Sequence, residues 1–287
     1  MNLSSDQIFD TLIIFVLMSI VFLPLERLFS IHRQPVLRKE WKTDLLFFLG
    51  QYLLWTTPVV ACLIVLRDGV ALYASTELKV SFAQLPYIAQ AVLAVLISDF
   101  CIYWGHRFSH DIPFLWRFHK VHHTSVRLDW LAAYREHPFD NLYTRTIENL
   151  PLFLLGFPIE TISGFVVFRS IWGMFIHSNV KLNIGILKYV LGSSRLHHWH
   201  HSTENKNCNY ANLMPIMDKL FGTYYDPGHD VDSYGIDETI PHGYIDQLYR
   251  PLTIRGLSQR SHNALESTEA GLKEPRLTKS SLNSLST

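Results

Sequence analysis

Charge is scarce in this chain. Asp, Glu, Lys and Arg make up 17% of its 287 residues, where a soluble domain carries about a quarter. What charge there is balances, 25 basic against 25 acidic residues, so no basic field marks a nucleic-acid partner. Cysteine is nearly absent. Cys62, Cys101 and Cys208 form no Cys-x-x-Cys pair, which excludes a zinc ribbon, an iron–sulfur cluster and a disulfide framework. Cys62 and Cys101 lie in apolar runs and read as small hydrophobes. Gly-rich dinucleotide fingerprints and haem-attachment motifs are missing too. Hydrophobic residues fill the deficit, at 48% with a positive mean hydropathy. That balance describes an integral-membrane protein.

Long apolar runs place the membrane. Residues 8–25 form a first span, without the basic start and small-residue cleavage site of a signal peptide. A second runs over 45–66, with Gly50, Gln51 and Pro58 tolerable inside a bundle. A third runs over 85–104 and leads into a histidine-rich stretch. Residues 147–157 are apolar but short and broken, whereas 159–176 make a fuller span. The pair reads as a helical hairpin that enters the membrane and returns. The 26–44 loop carries Arg27, Arg33, Arg38, Lys39 and Lys42 against three acids, while the 67–84 loop is balanced. By the positive-inside rule the first loop is cytoplasmic, and the third span returns the chain to that side. The expected architecture is all-α. It has about four spans, or three plus a re-entrant hairpin, and a cytoplasmic helical cap. Membrane helices occupy 1–104, a histidine-bearing region 105–257, and a Ser-rich, aromatic-free tail 258–287 reads as disordered.

Histidine is what the chain has in excess. Eleven of fifteen fall between His106 and His201, most of them in three boxes. These are His106-Arg-Phe-Ser-His110, His119-Lys-Val-His122-His123 and His197-His198-Trp-His200-His201. Residues three and four apart share a helix face. Each box therefore presents its imidazoles together, eight in all without His198, which lies off its box's face. Imidazole suits iron, zinc and copper. One structural zinc takes four ligands, so eight imidazoles fit two metals. No Asp or Glu stands inside the boxes, unlike the carboxylate-rich shell of soluble di-iron bundles. An all-nitrogen shell needs acceptors behind it to orient each ring. Asp99, two turns before His106 in a costly apolar setting, is the first candidate. Asp111, Asp140, Asn179 and Asp218 follow. His177, ending the hairpin, is expected as a ninth ligand, and His137 is a possible tenth. His32, His229, His242 and His262 are isolated and read as ordinary histidines.

The spacings His-x3-His, His-x2-His-His and a final His-x2-His-His resemble those of the fatty acid hydroxylase superfamily, also called the sterol desaturase family. Asp99-Phe-Cys-Ile-Tyr-Trp-Gly-His-Arg107 is similar to that family's approach to its first box. Asn209-Tyr210 and Met217-Asp218-Lys-Leu-Phe-Gly-Thr-Tyr224 resemble its ending. Around the third box the chain also resembles alkylglycerol monooxygenases. The resemblance covers roughly residues 20–226. It implies a membrane-bound non-haem di-iron oxygenase that hydroxylates or desaturates a lipid with O2. The metal ligands would be His106, His110, His119, His122, His123, His177, His197, His200 and His201. Electrons would come from a separate cytochrome b-type or ferredoxin-type donor. The membrane would be the endoplasmic reticulum or a bacterial inner membrane. One departure stands out. Some family hydroxylases carry a further His-x3-His before the third box, and here its first position is Gly173.

Other functions fit less well. A metal transporter places its ligands near mid-membrane on broken helices. A bis-histidine haem carrier needs facing single histidines. A zinc hydrolase keeps three protein ligands and an open position. A histidine-rich membrane protein that binds or moves metal without oxygenase activity is the principal alternative.

Overall fold

The computed structural model describes residues 4–73, 75–182, 185–204, 207–238 and 241–253. The tail expected from residue 258, with His262, lies outside the described residues. Among those described the chain is helical and no strand occurs, only the isolated bridges Ser30–Val180 and Ser202–Tyr234.

Four segments are long and apolar enough to cross a membrane. Helix α1 (Ser5–Leu28) begins at a capping box, in which Ser4 and Gln7 satisfy each other's backbone N–H groups. The second span is composite. Helix α2 (Trp41–Gly50) passes through a π turn at 51–55 into α3 (Thr56–Ala71). Pro58 has no N–H to give and crowds the carbonyl four residues back, at Leu54. A wider turn at that point relieves the conflict. The Thr56 hydroxyl then donates to the Gln51 carbonyl at 2.8 Å. A short helix, α4 (Thr76–Ala83), capped by the Ser75 hydroxyl, occupies part of what hydropathy left as a loop.

The third span, α5 (Tyr87–Asp111), runs unbroken across the expected 104/105 boundary, so the first histidine box lies on the span itself. After α6 (Pro113–His119) and a 3-10 turn at His122–Thr124, the hairpin begins earlier than its apolar run suggests. Helix α7 (Pro138–Leu155) holds Pro151 in its interior. It ends at Gly156, whose left-handed φ of 73° suits glycine. Phe157 and Pro158 complete the turn into the fourth span, α8 (Ile159–His177). Asp140 near the start of α7 and His177 at the end of α8 both reach the histidines. The hairpin thus leaves and returns to one end of the bundle.

Burial separates outer from inner spans. Only 11% of the most apolar window is buried in α1 and in the α2–α3 span, against 39% in α5 and 33% in α8. The exposed face of α1 is Phe9, Leu12, Val16, Leu17 and Ile20, a surface suited to lipid. Inside, Ala94, Leu152, Phe153, Phe157, Ile162 and Phe165 join α5, α7 and α8. Gly105 lets Ile147 of α7 press close to α5, where any Cβ would meet it at 2.8 Å. Phe22, Phe48, Trp130, Leu131 and Met174 join α1 and α2 to α8 and to a turn at 130–134.

The 26–44 loop packs on the histidine end. Arg38 bridges Asp44 and Asp129 at 2.6 Å each, and Arg135 bonds Asp44 at 2.5 Å and Glu40 at 2.8 Å, all deeply buried. Breaking one partner of such a network leaves an uncompensated buried charge, a loss of about 3–5 kcal/mol. This network anchors the backbone from which Arg135 addresses the site.

Candidate metal centre

Nine imidazoles gather into two groups. His106, His110, His119, His123 and His200 form one, and His122, His177, His197 and His201 the other. Within each group the candidate ligand atoms lie within 4.8 Å of one another. The groups abut, with the rings of His123 and His201 stacked at 4.3 Å.

The boxes do not each face one place. The first, at i and i+4 on α5, gives both rings to one group. The second sends His119 and His123 to that group and His122 to the other. The third lies on α9 (Ser194–His200) and its C-cap. It sends His197 and His201 to the second group and His200 to the first. The reason is angular. Positions i and i+4 are offset by roughly 40°, while i+3 lies some 60° to the other side of i at about 100° per residue. A His-x2-His-His box is therefore built to straddle two sites.

Hydrogen bonds settle which nitrogen faces inward. A carbonyl oxygen has no proton to give, so an Nδ1 bonded to one must donate. His106 donates to the Tyr210 carbonyl at 2.8 Å, His122 to Arg135 at 3.2 Å, His177 to Gly173 at 2.7 Å and His200 to Cys208 at 2.8 Å. His119 Nδ1 donates to the Asp140 carboxylate at 2.9 Å. In a neutral ring with Nδ1 protonated, Nε2 is a bare lone pair. Yet His122 Nε2 and His177 Nε2, each on a ring whose Nδ1 donates to a carbonyl, stand 2.9 Å apart. Two lone pairs at that distance repel unless a cation lies between them. The Nε2 of His200 is likewise buried without a hydrogen-bond partner among the described residues. These converging, unprotonated nitrogens fit two metal ions.

Burial supports the same state. It is the largest cause holding His122, His123, His197 and His201 well below the usual imidazole range, with repulsion between neighbouring rings adding to it. His200 is pushed down to about 3, again first by burial. Neutral imidazole is the form that binds metal.

The other candidates divide. His137 stands outside both groups. It caps α7, its Nδ1 accepting from the Phe139 N–H at 3.1 Å and its Nε2 donating to the Leu248 carbonyl at 3.0 Å. With both nitrogens engaged it has no lone pair left for a metal. His198 lies behind the centre. Its Nε2 donates to the His177 carbonyl at 3.2 Å and its Nδ1 accepts from the Tyr234 hydroxyl at 2.8 Å. Asp140 alone among the acidic candidates bonds one of the nine rings. Asp99 instead accepts from the Leu213 and Met214 N–H groups at 3.2 and 2.9 Å and pairs with Arg169 at 3.3 Å. Asp218 accepts from the Tyr210 and Ala211 N–H groups at 2.7 and 3.0 Å, and so holds the strand of backbone whose carbonyl orients His106. Asn179 staples His32 in the first loop, and Asp111 pairs with Arg107 at the surface. His32, His229 and His242 lie outside both groups.

Sequence reasoning did not find Cys208, Tyr210, Arg135 and Gly173 as orienting residues, because their carbonyls do the work and every residue has one. Asn209 is a partial signal. It adopts φ 52° and bonds the Leu196 and Tyr225 backbone, fixing the loop that presents the Cys208 and Tyr210 carbonyls.

Comparison with known proteins agrees with this geometry. The family model described as fatty acid hydroxylase matches residues 91–223. An ornithine lipid hydroxylase, OlsE, of Rhizobium tropici is 34% identical over 176 residues, 60% of this chain and 53% of that protein. The alkylglycerol monooxygenase of Homo sapiens is 34% identical over 134 residues, 46% of this chain and 29% of that protein. A Delta(7)-sterol 5(6)-desaturase, ERG3A, of Gibberella zeae is 30% identical over 164 residues, 54% of this chain and 43% of that protein. The chain thus spans about half or less of the length of these relatives. No solved structure matches significantly. Residues 91–223, which supply all nine gathered imidazoles, are the part of the chain that matches the fatty acid hydroxylase family model.

Proposed function

We propose that this chain is a membrane-embedded oxygenase that hydroxylates or desaturates a C–H bond of a lipid, using two iron ions held by the nine imidazoles, O2, and electrons from a separate protein. The observation that carries the reading is the pair of abutting imidazole groups, in one of which the unprotonated Nε2 atoms of His122 and His177 face one another at 2.9 Å. When bound, the metals supply the redox chemistry with dioxygen that no side chain here provides. The relatives are named for three different lipids, which supports the lipid class and leaves the individual lipid open.

The residues' share of the work is binding and orientation. The carbonyls of Tyr210, Arg135, Gly173 and Cys208, and the Asp140 carboxylate, turn five rings inward. Close packing keeps bulk water from the rings, since eight of the nine histidines are buried. The groups sit at the ends of α5 and α8. A transporter would place them at mid-span, so a metal-binding or transport role without oxygenase activity is the weaker reading. The basic 26–44 loop, packed on the same end, supports a cytoplasmic site in the endoplasmic reticulum or a bacterial inner membrane. A cytochrome b-type or ferredoxin-type donor would then reach it from the cytoplasm.

The full chain purified in detergent is expected to hold two metal ions, iron being native. His200→Ala is expected to lower the metal content and abolish lipid oxidation while leaving membrane insertion intact. Lipid extracts from cells with and without the chain should differ by a lipid that has gained oxygen or lost two hydrogens. One metal per chain, haem absorbance, or an unchanged lipid profile from metal-loaded protein would sink the reading.

A further inference from the structure

Two cavities meet at Gly173. The inner one, of about 130 Å³, is lined by His106, His119, His122, His177 and His197, and so opens on both imidazole groups. The outer one, of about 300 Å³, extends to Thr56, Val59 and Val60 of α3 and to Val166 and Ser170 of α8. Val60 is 45% exposed on a membrane-span candidate, so this cavity reaches the lipid-facing surface. The two share Ala133, Glu136, Arg145, Arg169, Gly173 and His177 as walls. At Gly173 a side chain is missing from the flank of α8, and a Cβ built there would meet nothing within 4 Å. This glycine is not required by its backbone, which is helical. Nor is it required by close packing, unlike Gly105. A mid-helix glycine without such a reason costs roughly 0.5–1 kcal/mol relative to alanine, so the open space itself calls for an explanation.

We infer that Gly173 is the aperture through which a substrate passes from the lipid-facing cavity to the metal centre, and that it admits an unbranched chain segment of a lipid rather than a fused ring system. The inference rests on the oxygenase reading above and narrows its substrate class. A side chain is absent where the two cavities meet at Gly173, and the chamber behind it, about 130 Å³ against 300 Å³, is the smaller of the two. An extended hydrocarbon segment can thread such a gap end-on. A rigid polycyclic nucleus needs both the gap and the chamber to widen, against the paired side chains Arg145–Glu148 and Arg169–Glu148 that frame them.

The test uses the full chain in a host whose membranes contain both sterols and linear-chain lipids. Wild type, Gly173→Ala and Gly173→Leu are compared by metal content of the purified protein and by mass spectrometry of the cell's lipids. Wild type is expected to oxidise a linear-chain lipid. Gly173→Ala should keep two metals, because the acceptor of His177 Nδ1 is a backbone carbonyl that the substitution retains. Gly173→Leu should keep two metals and lose product by on the order of a hundredfold. Undiminished product from Gly173→Leu would overturn the aperture. So would loss of metal from that variant, which would assign the position to holding His177 in place. A sterol as the wild-type product would overturn the chain-segment preference. Metal-loaded wild type without any oxidised lipid would instead overturn the oxygenase reading on which the inference stands.

Discussion

Asp140 bonds His119 across 21 residues of sequence and 2.9 Å of space. A carboxylate behind a ligating imidazole fixes its tautomer and raises its basicity, and losing one typically costs about 10–100-fold in metal affinity. Asp140→Ala is therefore expected to lower affinity by that order in a chelator competition. Asp140→Asn, which keeps an acceptor oxygen, should lose less. Equal affinity in all three proteins would remove Asp140 from the centre. Asp140 was legible as a candidate because it is acidic and close to the boxes. Asp99 looked stronger, since it shares the first box's helix face. Its carboxylate is instead taken by Leu213, Met214 and Arg169, from segments more than 60 residues away.

Among the elements, the hairpin of α7 and α8 is the one that assembles the site. Its return depends on Gly156, whose left-handed φ carries the chain from one arm into the other and whose Cβ position is crowded by Lys79. Gly156→Ala is expected to destabilise the protein by about 1 kcal/mol or more, measured as a shift in the unfolding midpoint in detergent. A wild-type midpoint would show that the turn relaxes freely. The apolar run revealed α8 but hid the first half of α7. Asp140, Asn141, Arg145 and Glu148 make that half look like a loop, although Asp140, Asn141 and Glu148 are buried against neighbouring elements. The box spacing led to an expectation of one face per box, and the structure splits the second and third boxes between two groups. An i, i+3, i+4 set straddles two sites on any helical turn.

For the whole molecule, acid is the sensitive condition. His198 and His200 are each pushed down to about 3, burial being the first cause. In the unfolded chain such groups titrate near the usual 6.5. Between those values the unfolded state binds protons that the folded state refuses. Stability is thus complete above about pH 6.5 and falls as the pH drops toward 3, by about 1.4 kcal/mol per pH unit for each group. Metal-stripped protein followed by tryptophan fluorescence should show this loss, and His198→Gln should shallow its slope. Bound metal should shift the whole curve to lower pH, because ligands and protons compete for the same nitrogens. A pH-independent stability across that range would mean that these rings are not buried neutral.

The sequence by itself determined the helical class, the apolar spans and the imidazole count. Each of these is a property of composition or of spacing along one segment. It also carried more imidazoles than one structural zinc takes, whereas the splitting of the second and third boxes between two groups came from the structure. Only the tertiary structure decided which acceptor stands behind each ring, because carbonyls of Tyr210, Arg135 and Cys208 have no signature in a one-dimensional code. It also separated His177, which meets His122 and His197, from His137, whose nitrogens serve a helix cap. Both are single histidines in the sequence. They differ only in what the fold brings to them, and that depends on contacts between segments far apart in the chain.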